Sequence, residues 1–130
     1  MGINYYSFYT DDEGMSVNIT LKDPKSSEVQ FIYLEEEVES EHFIESIEEI
    51  IDMWDRVFTS LIQEVENYSL RFYSKKLGGY EIEKIYITLD AHKGDFGVLI
   101  RYEIDVDHGI GVRFHDFKVQ KVGGADVSFM

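Results

Sequence analysis

The chain has 130 residues, with 44% hydrophobic and 15% aromatic residues, one proline and no cysteine, a size that builds one core and an apolar content that excludes wholesale disorder. The missing cysteines remove disulfides, thiolate metal ligands and cysteine nucleophiles, and no apolar run approaches the roughly 20 residues that a bilayer span needs. A net charge of −14 repels polyanions, so neither nucleic acid nor an anionic membrane is expected as a partner.

The first third predicts a three-stranded meander. Ile3 to Thr10 is a tyrosine-rich strand, Asp11 to Gly14 supply turn chemistry, and Met15, Val17, Ile19 and Leu21 then alternate with polar residues, the period of a half-buried strand. Asp23 to Ser27 form a loop around Pro24. Val29 to Leu34 follow as a strand that is apolar on both faces and so suited to the interior of a sheet.

At Ser40 the period changes to about 3.6. Ser40 is placed as an N-cap, with Glu41 and Glu45 at the positive end of the helix. An apolar stripe runs through Ile47, Ile51, Trp54, Phe58, Leu61, Val65, Tyr68 and Phe72. One straight helix from Glu41 to Tyr73 would be about 50 Å long, against the roughly 30 Å of a small domain. It must therefore break, with Glu66 to Ser69 the expected place, or overhang and pack on a second copy. Gly78 and Gly79 are expected to close the helical part, with Lys75 and Lys76 near its negative end.

Strands resume with Ile85, Ile87 and Leu89, then Phe96 to Ile104, then Ile110 to Phe114 after the turn Asp105 to Gly109, and a last hairpin through Val119 to Phe129. The expectation is a single α+β domain over residues 1–130: an antiparallel sheet in the order β-β-β-α-β-β-β, packed on one long or broken central helix. The N-terminal residues carry no basic region followed by an apolar one, so no secretion signal is expected and the location expected is cytoplasmic.

Two constellations carry possible chemistry. Asp105, Asp107, His108 and Asp116, with Glu103 and His115 nearby, offer carboxylates and imidazoles of the kind used in metal sites or acid–base catalysis. The spacing does not fit a calcium loop, since the sixth and twelfth positions from Glu103 are His108 and Phe114. Asp and Gly there also serve an ordinary turn. No nucleotide loop and no nucleophile-elbow pattern occurs, so neither a cofactor nor an enzymatic activity is expected, and His42 and His92 stand apart from any partner.

The second constellation is the acidic segment. Residues 1–66 hold seventeen Asp and Glu against three Lys and Arg, whereas residues 67–130 hold nine of each. Ten of the acids lie between Glu35 and Asp55, with no base among them. On a helix, Glu41, Glu45, Glu48, Glu49, Asp52 and Asp55 fall on one face opposite the apolar stripe. Like charges at such spacing destabilise a helix by a few tenths of a kcal/mol per pair, so this face is the candidate docking surface for a basic protein.

The segment from Asp105 to Phe129 resembles small uncharacterised bacterial domains whose C-termini run D-x-x-H-G-[IL]-G-V, a turn, then V-x-x-V-G-x-x-D-x-x-F. The matching residues are Asp105, His108, Gly109, Gly111, Val112, Val119, Val122, Gly123 and Asp126. That group is associated with the immunity proteins of polymorphic-toxin and contact-dependent inhibition systems. The resemblance implies an inhibitor that binds a cognate toxin, and it carries over no catalytic residue; the acidic face makes a basic toxin, such as a nuclease, the expected partner. Two rival readings remain: a small metal-binding domain or metal-dependent enzyme on Asp105, Asp107, His108 and Asp116, and a homodimer built on the helix overhang. Between monomer and homodimer, the monomer is favoured.

Overall fold

The structure, a computed structural model, describes residues 6–24, 28–38, 40–103 and 107–129. The chain order is β1 (Tyr9–Asp11), β2 (Gly14–Thr20), β3 (Glu28–Leu34), α1 (Glu41–Asp52), α2 (Trp54–Tyr73), β4 (Tyr80–Ile87), β5 (Phe96–Tyr102), β6 (Ile110–His115) and β7 (Lys118–Gly123). A 3-10 helix, Ala125–Phe129, follows. The seven strands form one sheet in sequential order, so the α+β class expected from the sequence holds.

The sheet is mixed rather than antiparallel. Every neighbouring pair is antiparallel except β3 and β4, which run parallel with Phe31 opposite Ile85 and Tyr33 opposite Ile87. Parallel neighbours require the chain to return to its starting end between them, and the two helices make that crossover.

The helical segment breaks at Met53, not at Glu66 to Ser69. Met53 has φ −97° and ψ 6°, outside the helical basin, yet its N–H still bonds to Glu49 O and its carbonyl accepts from Val57 N–H. The result is two helices of about 18 and 30 Å. The second ends at Ser74, held in the left-handed conformation at φ 57° with its N–H on Leu70 O, four residues before the expected glycines. Ile3 to Tyr5 of the expected first strand lie outside the described residues, Tyr6 to Phe8 are not in a strand, and Tyr9 and Thr10 alone of it fall in β1. The expected closing hairpin is only half correct, since the chain leaves β7 for the 3-10 helix.

One face of the sheet is covered by the helices. Phe43, Ile47 and Ile50 of α1 and Trp54, Val57, Leu61 and Val65 of α2 share a core with Val17, Phe31, Ile85, Val98 and Val112, all buried. The start of α1 is fixed twice by Tyr33: Phe43 stacks on its ring at 4.7 Å, and the Ser40 hydroxyl that accepts from Phe43 N–H also donates to Tyr33 Oη at 3.2 Å. At the break, Trp54 Nε1 donates to Asp23 Oδ2 at 3.3 Å and ties α2 to the loop after β2.

The 3-10 helix lies on the opposite face, across β5 and β6. Its backbone sits so close to Gly97 and Gly111 that a Cβ at Gly97 would overlap the carbonyl of Ser128. Phe129 meets the Tyr86 ring edge-on at 5.5 Å. Gly97→Ala is therefore expected to expel the 3-10 helix or strain β5, lowering stability by about 1–3 kcal/mol or more. Chemical denaturation of the variant checks this, and a midpoint within error of the parent contradicts the packing described.

Candidate functional site

The acidic face exists as a surface. Glu41, Glu45, Glu48, Glu49 and Asp52 occupy a single arc of α1 about 100° wide, because their three- and four-residue steps nearly complete a helical turn each time. Glu41, Glu45, Asp52 and Asp55 are exposed and Glu48 and Glu49 half-buried. Asp55 lies beyond the break, on the first turn of α2. Among the described residues none of the six carboxylates forms an ion pair. Tyr6 lies over this face: its phenol is pushed above its ordinary value by burial first, then by the charges of Glu48 and Asp52.

At its C-terminal end the face opens into a cleft of about 460 Å³ lined by Glu49, Asp52, Met53, Lys93, Asp116 and Phe117. Three carboxylates and one ammonium rim it, and Met53 and Phe117 form apolar walls. Asp116 and Phe117 make the two-residue turn between β6 and β7, both with positive φ (53° and 62°) although neither is glycine. For a bulky aromatic residue that conformation is rare. It is held by the Phe117 N–H bond to Gly94 O at 3.0 Å and by Asp95, whose carboxylate accepts from Asp116 N–H and from His115 Nδ1. Helical periodicity marked Glu49 and Asp52, but nothing local in the sequence ties them to Lys93, Asp116 and Phe117.

The same geometry dissolves the rival cluster. Asp107 and His108 sit in the turn before β6, and Asp116 in the turn after it. The six-residue strand between them holds the two ends roughly 20 Å apart, so they cannot ligate one ion. Asp105 lies outside the described residues. Among the described residues no group of three His, Asp or Glu side chains is placed to hold a metal. His42 Nε2 lies 3.3 Å from Thr88 O, tying α1 to the end of β4, and the exposed His92 gives its backbone N–H to Asp95 Oδ2.

A polar network that the sequence reading missed covers part of the sheet face away from the helices. The Glu13 carboxylate accepts from Lys84 Nζ at 2.6 Å and from Tyr86 Oη at 2.7 Å, while the Gln30 amide donates to Asp11 Oδ2 at 2.8 Å and Ser16 Oγ at 3.1 Å. Glu13 and Tyr86 are 73 residues apart, so no spacing rule finds them. Burial first, then the bond to Glu13, raises the Tyr86 phenol far above its ordinary value, so it stays protonated and donates. Asp11 is held below its ordinary value, mainly by Gln30. The network frees no base or nucleophile; it clamps the β1–β2 turn to β4.

No protein-family model matches the sequence, and no curated protein or solved structure matches it. Among the described residues no helix is long and apolar enough to cross a membrane. Three glycines that carry the C-terminal resemblance have packing roles here. Gly109 has φ 74°, Gly111 passes beneath the 3-10 backbone, and Gly123 faces Val127.

Tyr86→Phe is expected to cost about 1.5–3 kcal/mol at neutral pH, the value of a hydrogen bond to a charged acceptor. Its pH dependence is specific. Because the folded phenol titrates above the unfolded one, the unfolded chain releases the proton first as pH rises past 10.0, and stability falls there. The variant loses that alkaline slope. Asp11, depressed in the folded state, acts at the other end: its contribution is present above the unfolded carboxylate value and fades as pH falls through the folded one, so Asp11→Asn flattens the acid limb. Urea denaturation across pH reads both.

Proposed function

We propose that the protein is an immunity-type inhibitor that docks a basic partner, a cognate toxin, on the acidic face of α1 and the cleft at its end. The observation that supports this most is the row of like charges on α1, unpaired within the described residues and arranged at spacings that weaken the helix. Selection for folding alone places lysines among them, as the second half of the chain does. The C-terminal resemblance to immunity-associated domains supports the same reading.

The work divides along the face. Exposed Glu41, Glu45, Asp52 and Asp55 act at long range and set the association rate, which reaches far above the uncharged value when potentials are complementary. The cleft takes a lysine or arginine of the partner, its stem against Met53 and Phe117 and its charge beside Glu49, Asp52 and Asp116. The Lys93 ammonium opposes a second cation there, so the cleft admits one.

Replacing Glu45, Asp52 and Asp55 together by Lys is expected to leave the fold intact, each exposed change shifting stability by within about 0.5 kcal/mol. Relief of repulsion along α1 is expected to favour the variant. Association with the proposed toxin slows, and its steep salt dependence flattens. Stopped-flow binding at several salt concentrations and a co-expression survival assay check this. A folded variant that binds and protects like the parent overturns the reading.

A further inference from the structure

A second cleft, of about 280 Å³, lies on the sheet face opposite the helices, lined by Arg113, Gln120, Lys121 and Val127. In a protein with 26 acids and 12 bases, no carboxylate among the described residues lines it. We propose that this cleft binds a small organic oxyanion, a phosphate monoester or a carboxylate, between Arg113 and Lys121.

Three features carry the assignment. Arg113 and Lys121 are directly opposite each other on β6 and β7, and like charges facing across an antiparallel pair destabilise it. An anion between them reverses the sign of that contact. Next, the register shifts between Arg113 and Phe114: Phe114 pairs with Val119 and Arg113 with Lys121, so Gln120 is an extra residue on β7. A bulge sets two residues against one and re-aims side chains, and here Gln120 and Lys121 both reach the cleft that Arg113 lines. That arrangement offers two cations and an amide to one point.

Lastly, Arg113 is only half-exposed and makes one long contact, Nη1 to Ser128 O at 3.4 Å. Among the described residues no carboxylate lies within ion-pair distance of it. Burial draws the guanidinium below its ordinary value, and the more distant Asp95 and Asp90 counter that. A planar fork of five donors with one weak acceptor matches a two-oxygen anion, which it grips with two parallel bonds. Val127 gives the wall for an apolar part of the ligand, and the cleft is larger than a bare ion fills. The site is on the far side of the sheet from the α1 face and does not depend on the docking proposed there.

The test is an amide and guanidinium NMR titration of the full chain with phenyl phosphate and, separately, benzoate, each against sodium chloride at matched ionic strength. Saturable shifts at Gln120, Lys121, Gly124 and the Arg113 Nε–H are expected, with affinity falling at least about tenfold in Lys121→Met and in Arg113→Lys, as loss of a charge-assisted pair requires. Lys121 is exposed, so its variant reports on binding even if Arg113→Lys perturbs the strand. Tighter phenyl phosphate names a phosphate monoester; tighter benzoate names a carboxylate. Shifts that fail to saturate, that chloride reproduces, or that both variants retain at full affinity overturn the site.

Discussion

The parallel pairing of β3 with β4 is the constraint from which the rest of the architecture follows. Antiparallel neighbours are joined by turns, and all the other junctions in this sheet are turns or short loops. Only between β3 and β4 must the chain travel back to its starting end, and α1 and α2 make that return across one face. Their apolar residues, Phe43 to Val65, are thereby committed to the sheet, and the opposite arc of α1 is committed to solvent. The acidic arc faces away from the sheet because the crossover commits the opposite arc of α1 to the core. Covering one face also leaves the other bare, and two devices fill it: the 3-10 helix over β5 and β6, and the Glu13, Lys84 and Tyr86 clamp beside it.

How much of this the sequence discloses depends on the range of the interaction. The Ser40 cap, the alternation in β2, β5 and β6, and the acidic arc of α1 are local patterns, and all were legible. The break at Met53 was not, because the buried positions Ile47, Ile50, Trp54, Val57 and Leu61 keep three- and four-residue steps straight through it, and no Gly or Pro marks it. The observed stripe runs one position away from the expected one at Ile51, Phe58 and Tyr68, which flank the core instead of filling it. The parallel pair was half-visible: a strand apolar on both faces, followed by a long helical connection, is the signature of a crossover. The cleft and the outer network were illegible for a different reason. Glu49 and Asp116, or Glu13 and Tyr86, meet only through the tertiary fold, and the metal cluster read from Asp105, Asp107, His108 and Asp116 erred by ignoring that a strand separates its two ends.

The C-terminal segment shows how a motif can describe packing instead of chemistry. Gly109, Gly111 and Gly123 are each required by the backbone: one by its positive φ, the others by the closeness of the 3-10 helix and its side chains. Val112 faces the core, and Val119 and Val122 pack at its margin. The three glycines thus serve the backbone at this end of the chain, while the proposed docking rests on α1, which the motif does not include.

The two proposed sites have opposite sign, and the geometry lets them coexist. From Asp116, at the acidic cleft, to Arg113, at the cationic one, is three residues of extended chain, about 10 Å. The Debye length at physiological salt is about 8 Å, so for the solvent-exposed charges much of the mutual influence is screened. What screening leaves has a consequence for each site. Asp95 and Asp90 partly offset the effect of burial on the Arg113 guanidinium, which stays charged, while their own charge weakens its pull on an anion. In return, an anion seated between Arg113 and Lys121 removes positive charge near the Asp116 end of the acidic face, and that makes the face a stronger attractant for a basic partner. The sign of this coupling is positive by linkage, since whatever strengthens one binding event strengthens the other by the same factor. Its size is bounded by the screening, so it modulates the proposed docking without switching it, and the proposed long-range steering by Glu41, Glu45 and Asp55 does not require the second cleft to be filled.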